Sequence, residues 1–249
     1  MLFEPKTYRN SFPKERFRSF TVTYLENDVW IAVDPQSYCP EMEAEALRVL
    51  TQKVDELKAY VEAEPFFRKS LKPCPVPDTA PASIQEAARA AGLASTGPLA
   101  AKNGLINELL ARALTEKFGL NEMIVENSGD LYLKLQDSLI VSIFADDPDD
   151  SGMMGLEIRP AQTPLGIGTG LGTKGHPINH TRAGAVMTVA QKGADASALA
   201  VGVGNRVKMA NDLEKVLKHL KLMPEVIAAV FIVDDQVAVH GDNELKLIL

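Results

Sequence analysis

Two periodicities alternate along this chain of 249 residues, and a fold must satisfy both. Leu47, Leu50, Val54, Leu57 and Val61 recur at steps of three and four. They lay one apolar stripe along a helix that Pro40 opens, with Glu41, Glu43 and Glu45 at its positive end, and that Pro65 closes. A second stripe, Ile106, Leu109, Leu110, Ala113, Leu114 and Phe118, ends at Gly119, a residue suited to a helix C-cap. Around these helices lie short runs of period two or of unbroken apolar character. Residues 20–25 and 29–33 predict a hairpin turning at Asn27-Asp28. Residues 122–126, 131–135 and 139–144 predict a three-strand meander, followed by a strand near 156–158 and a buried strand at 185–190. Four of the fifteen prolines fall between residues 72 and 81, an irregular connector after which Ser83 can cap a helix running to about residue 91. An alanine-rich helix over 194–203, a helix capped by Asp212 and a closing hairpin over 227–233 and 237–240 complete the reading. Hairpins mixed with long helices, without a regular βαβ array, predict an α+β fold: mixed or antiparallel sheets packed with long helices, two halves sharing one core in a single domain over residues 1–249.

Charge narrows the partners. Lys plus Arg number 26 and Asp plus Glu 33, a formal net charge of −7, and a negative body repels phosphate backbones, so nucleic acid is excluded as a general partner. No apolar run reaches the roughly 18 residues needed to span a bilayer, and the N-terminus lacks the apolar core of a secretion signal. The expected location is the cytoplasm, with no membrane partner. Cys39 and Cys74 flank prolines and are expected to be free thiols in that reducing compartment. The first twenty residues run against the overall charge, with Lys6, Arg9, Lys14, Arg16 and Arg18 interleaved with Phe3, Tyr8, Phe12, Phe17 and Phe20. The expectation is a segment pinned by its aromatics with solvated charges between them; an arm docking on a partner or an anion is the alternative.

Residues 164–176 hold the densest chemistry, with five glycines between 166 and 175 and with Thr169, Thr173, Lys174 and His176 among them. Such a segment lets backbone amides approach a ligand, and successive amides can cradle an anion. Residues 170–175 match the dinucleotide string G-x-G-x-x-G, but no helix is expected to start inside it. The Gly-Lys-Ser/Thr order of a P-loop is also missing, so both phosphate motifs are rejected. His176 is a candidate general base. Asp195, at the start of a small-residue helix, reads either as a complement to the helix dipole or as a ligand for Mg²⁺. Asp146, Asp147, Asp149 and Asp150 around Pro148 lack the spacing of a calcium loop and are expected at a solvated hairpin tip.

Three segments, taken in order, resemble the ApbE-like superfamily. Gly97-Pro98-Leu99-Ala100-Ala101-Lys102-Asn103-Gly104 is similar to its Ala-Lys-Gly helix start, and Asn127-Ser128-Gly129-Asp130-Leu131 to its Asn-x-Gly-Gly-Asp-Ile turn. The third carries the Thr-Gly segment, a histidine, Val186-Met187-Thr188-Val189 and then Ala194-Asp195-Ala196-Ser197-Ala198-Leu199-Ala200, where the family has Ala-Asp-Ala-x-Ala-Thr-Ala. The resemblance implies an ApbE-like α+β fold and a flavin site, FAD or FMN, built from Gly97, Lys102, Asn127, Gly129, Asp130, Gly168, Thr169, Gly170, Gly172 and Thr173. It further implies Mg²⁺ held by Asp195 and the Ala101 carbonyl, with His176 as base. Leu199 stands where the family has a ligating threonine.

Better-known members of that superfamily move FMN from FAD onto a protein acceptor. A shorter cytoplasmic branch, which this chain resembles more closely, has been linked to sulfide assimilation into homocysteine. Three readings follow. The first is an ApbE-related protein that binds a flavin or nucleotide-like anion and serves sulfide assimilation into homocysteine. The second is a Mg²⁺-dependent FMN transferase with a protein acceptor. The third is a non-catalytic ligand-binding or partner protein. A homo-oligomer is compatible with all three.

Overall fold

The structure, a computed structural model, describes residues 6–143, 153–170, 184–234 and 236–248. Its central layer is an eight-stranded sheet in which every neighbouring pair is antiparallel. In chain order its strands are β1 (Arg18–Tyr24), β2 (Asn27–Val33), β3 (Met123–Asn127), β4 (Asp130–Lys134), β7 (Leu165–Gly170), β8 (Ala185–Ala190), β9 (Val226–Val233) and β10 (Gln236–His240), and this is also their order across the sheet. The remaining strands, β5 (Leu139–Ile143), β6 (Met153–Ile158) and β11 (Leu245–Ile248), form a second sheet in the order β11-β6-β5. The helices are α1 (Glu41–Ala63), α2 (Pro65–Lys69), α3 (Ala82–Ala94), α4 (Lys102–Phe118), α5 (Gly193–Gly204) and α6 (Leu213–Leu220).

Alternation along the strands sorts the side chains into layers. Val29, Ile31, Met123, Val125 and Tyr132 face α1 and α4, while Val186, Ala190, Ala229, Phe231 and Val233 face α3, α5 and α6. From the opposite face, Leu131, Leu133, Leu165, Ile167, Met187 and Val230 pack against Leu139, Val141, Ile143, Leu156 and Ile158 of the small sheet. The expected α+β class is what forms, as three layers: helices, large sheet, small sheet. No helix among the described residues is long and apolar enough to cross a membrane.

Several local expectations are corrected. The first hairpin turns at Leu25-Glu26, because Tyr24 pairs with Asn27 and Leu25 takes the left-handed φ of 51° that a two-residue turn demands. Asn27 and Asp28 are already strand. The three-strand meander does not form: β4 pairs with β7, and β5 leaves for the small sheet, where Leu139, Val141 and Ile143 cover the large one. In α1 the buried face is Met42, Ala46, Val49, Leu50 and Val54, whereas Leu47 is 42% exposed. Leu50 and Val54 of the expected stripe lie on this face, Leu57 and Val61 are partly buried, and Leu47 lies off it. Helix α3 starts after Pro81, and the Ser83 hydroxyl hydrogen-bonds Glu56 of α1 instead of capping. The start of the glycine-rich segment is strand β7, and β11 has no counterpart in the expectations.

The N-terminal segment is pinned by its aromatics, as expected. Phe12 stacks on Trp30 with ring centroids 5.2 Å apart, and Phe17 is buried. Lys6, Arg9 and Arg16, however, are ion-paired. Arg16 donates to the Glu122 carboxylate at 2.5 and 3.1 Å and to the carbonyls of Asp137 and Ser138.

Candidate functional site

The site grows from the turn between β3 and β4. Asn127 pairs directly with Asp130, so the connection is two residues, Ser128 and Gly129, with φ of 54° and 93°. Both central residues at positive φ give the hairpin turn whose twist matches that of its strands. Gly129 meets a second demand: a Cβ there would lie 2.7 Å from Thr169 Oγ1, at the end of β7. The turn is tied down by Glu126, whose Oε1 accepts the Gly129 N–H at 2.7 Å.

Asp130 then projects toward the helix layer and is buried. Its Oδ1 accepts the Thr169 N–H at 2.8 Å and the Thr169 hydroxyl at 3.3 Å, and its Oδ2 accepts the Ser197 hydroxyl at 2.5 Å. Ser197 in turn accepts the Gly104 N–H at 2.9 Å, and Asn107 Nδ2 donates to the Asp130 carbonyl at 2.9 Å. One network thereby joins β4, β7, α4 and α5. Burial pushes the Asp130 carboxyl up to about 6; the Ser197 and Thr169 donors oppose that shift and the nearby Glu126 charge adds to it. Asn107 Oδ1, also buried, has no hydrogen-bond partner among the described residues.

On the other face of the large sheet lies a narrow cleft of about 130 Å³. Leu131 and Met187 of the large sheet, Val141 and Ile143 of the small sheet and Phe12 of the N-terminal segment give it apolar walls. Glu126, Gly129, Ser142 and Thr169 supply polar groups. Thr169 belongs to both structures: it lines the cleft and its amide and hydroxyl are held by Asp130. The buried carboxylate network therefore fixes one polar wall of an otherwise apolar slot.

The residues expected at the site separate into groups. Asn127, Gly129, Asp130, Gly168, Thr169 and Gly170 come together at the ends of β3, β4 and β7. Their roles differ. Gly129 and Thr169 line the cleft, and Asn127 donates to Asn27 Oδ1 at 3.2 Å. Gly168 faces α5, where a Cβ would overlap the Ala196 carbonyl. Its value is close packing of strand on helix, not the exposed amide that a loop would offer. Gly97 packs on the backbone of Ser70 and Leu71, and Lys102 ion-pairs with Glu26 in the first hairpin turn, so both lie away from the cleft. Gly172, Thr173, Lys174 and His176 lie outside the described residues, as does the acidic cluster Asp146, Asp147, Asp149 and Asp150.

Asp195 and the Ala101 carbonyl belong to the helix layer. Asp195 is buried and ion-pairs with Arg89 of α3, which also holds Glu86 at 2.8 Å. The hydrogen bonds to Glu86 and Asp195 outweigh partial burial and keep the Arg89 guanidinium above its ordinary range. Ala101 and Leu199 are both fully buried in the apolar cluster beneath. No group of three or more His, Cys, Asp and Glu side chains able to hold a metal occurs among the described residues. Glu126, Asn107 and Ser197 carry no site signal in the sequence, and Arg9 stands out there only as one basic residue of the N-terminal segment. Ser197 stands two positions after Asp195, but only the fold turns it toward Asp130.

A helical layer on a large antiparallel sheet, with a small sheet enclosing a cleft on the other side, defines an α+β protein of the flavin transferase ApbE fold. It superposes on Pseudomonas stutzeri flavinyl transferase ApbE with a TM-score of 0.60, covering 90% of this chain and 93% of that one at 12% identity. For flavin transferase ApbE from Vibrio cholerae the TM-score is 0.56, with 90% and 96% covered at 14% identity. The chain belongs to the family described as AbpE bacteria, whose model matches residues 9–236. Similar sequences include a UPF0280 protein of Methanocella arvoryzae, 32% identical over 75% of each chain. A UPF0280 protein of Methanocaldococcus jannaschii is 28% identical over 87% of each.

Proposed function

We propose that the cleft between the two sheets binds the ring system of a flavin, and that this chain is a flavin-binding member of its family. The observation that carries the reading is the slot itself: apolar walls from both sheets converge on Glu126, Gly129 and Thr169, an arrangement suited to a flat aromatic ligand with polar edges. Gly170, Gly172, Thr173 and His176 continue the chain from Thr169, and we assign them to the ligand's anionic, phosphate-bearing side, with His176 as the base if a group is transferred.

The transferase reading asks for more. Mg²⁺, when bound, would neutralise charge on a transferring phosphoryl group. An ion at Asp195 and the Ala101 carbonyl would compete with Arg89 for the same carboxylate, and the side chain one turn further on is the apolar Leu199. As they stand, these residues do not fit the ion, so we derive no transfer step and no protein acceptor from this site.

Absorbance of the purified protein between 350 and 500 nm, followed by FMN and FAD titrations with and without Mg²⁺, tests the proposal. Saturable quenching of flavin fluorescence is expected, and Leu131→Arg, which puts a charged side chain into the slot, should abolish it. Absence of any saturable flavin signal in the wild type would reject it.

A further inference from the structure

The N-terminal segment contributes a wall of the cleft, yet among the described residues no strand ladder holds residues 6–12 there. Residues Thr7–Ser11 form a short 3-10 helix, and Ser11 and Phe12 reach the cleft. Phe12 lies between the slot and the Trp30 ring on which it stacks. Two charged contacts pull the segment down. Arg9 Nε donates to Glu126 Oε2 at 2.6 Å, while its Nη atoms reach the Asp28 carbonyl at 2.8 Å and the Asp28 carboxylate at 2.7 Å. Lys6 adds bonds to the Asp28 carbonyl and carboxylate at 3.1 and 3.3 Å.

The position of Glu126 gives the Arg9 contact its weight. Glu126 pairs with Trp30 across the β2–β3 ladder, so both side chains stand on the face that carries the cleft. The Glu126 side chain is 1% exposed and that of Arg9 14%. Removing one member of such a pair leaves a buried charge without its counter-charge, far costlier than losing a surface pair. The other Glu126 oxygen holds the Gly129 N–H, and Gly129 abuts Thr169. The same carboxylate therefore anchors the N-terminal wall and the polar wall.

We propose that Arg9 is a positioning residue: by latching residues 6–12 onto Glu126 it holds Phe12 in place as a wall of the cleft and so sets the affinity for the aromatic ligand. The identity of the ligand rests on the flavin reading above; the latch does not. Ligand and segment then stabilise each other, because a ring in the slot packs against Phe12 only while Arg9 is seated.

Trp30 is the single tryptophan and reports the latch directly. In the full-length protein, Arg9→Gln should shift Trp30 emission to the red and raise its quenching by acrylamide severalfold, with the far-UV circular dichroism unchanged. FMN affinity should fall about tenfold, and Arg9→Lys, which keeps a charge for Glu126, should recover part of both effects. Unchanged Trp30 quenching in folded Arg9→Gln overturns the latch, and equal FMN affinity overturns its role in binding. If the wild type binds no FMN, the flavin reading fails while the Trp30 measurement still decides the latch. Should Arg9→Gln not fold, trypsin digestion of the wild type serves instead: FMN must slow the cut after Arg9, and an unchanged rate overturns the proposal.

Discussion

Asp130 sits where donors from β7 and α5 converge on one buried carboxylate. Burial nevertheless dominates, raising the group from an ordinary 3.8 to about 6. A raised carboxyl binds its proton more tightly in the folded state than in the unfolded chain. Its contribution to stability is therefore complete below about pH 4 and is lost as pH rises through 6, an effect on the order of 3 kcal/mol. Asp130→Asn removes the titration while keeping one acceptor for Thr169. The variant should gain stability relative to wild type between pH 4 and pH 7, read as the difference in Tm or in denaturation midpoint at each pH. A difference that stays constant across that range would show that Asp130 does not titrate there. Residues of this network were only partly legible in the sequence. Asn127, Gly129 and Asp130 stand together in a recognisable turn. Ser197 and Asn107 reach Asp130 from 67 and 23 positions away, and only the packing of two helices on the sheet unites them.

At the scale of elements, the short β8 run, apolar but for Thr188, and the stripe of α4 with Gly119 at its end were legible because each is decided by local pattern. Strand β7 was not, since Gly166, Gly168 and Gly170 read as a loop until a helix is seen packed against them. The destination of β5 was hidden for a different reason: pairing is a tertiary choice, and its sequence suits either sheet. The contact between α3 and α5 likewise depends on the fold. Arg89 and Asp195 are 106 residues apart, and their pairing gives α5 a cation where a divalent ion would otherwise be the natural counter-charge. The wild type should therefore show no saturable thermal stabilisation by Mg²⁺. In Arg89→Ala the freed carboxylate should acquire one, abolished again by Asp195→Asn. Saturable Mg²⁺ stabilisation of the wild type, lost in Asp195→Asn, would place the ion at Asp195 in spite of the guanidinium.

For the whole molecule, the layers are not held equally. The large sheet has helices on one face and the small sheet on the other, so its inner strands β3, β4, β7, β8 and β9 lose both backbone and side chains to the interior. Among the described residues the small sheet has three strands, of which β5 and β11 are edges, and no ladder joins it to the large one. Side-chain burial attaches it, chiefly Leu139, Val141, Ile143, Leu156 and Ile158, each worth roughly 2 kcal/mol when fully buried. Its outer face leaves Ile140 42% exposed, and at its edge Leu247 is 73% exposed. A layer with that balance should open before the rest of the fold. Hydrogen exchange followed by mass spectrometry should show peptides of β5 and β11 exchanging well before those of β7, β8 and β9. The cleft lies between these layers, so its occupant touches Val141 and Ile143 on one side and Leu131 and Met187 on the other. A ring bound there adds contacts that only the closed arrangement offers, and linkage requires it to suppress the opening. Saturating FMN should slow exchange most in β5, the layer with the lower barrier, and little in β8, which is protected without it. Uniform slowing in both sheets would mean that the ligand binds elsewhere and stabilises the fold as a whole.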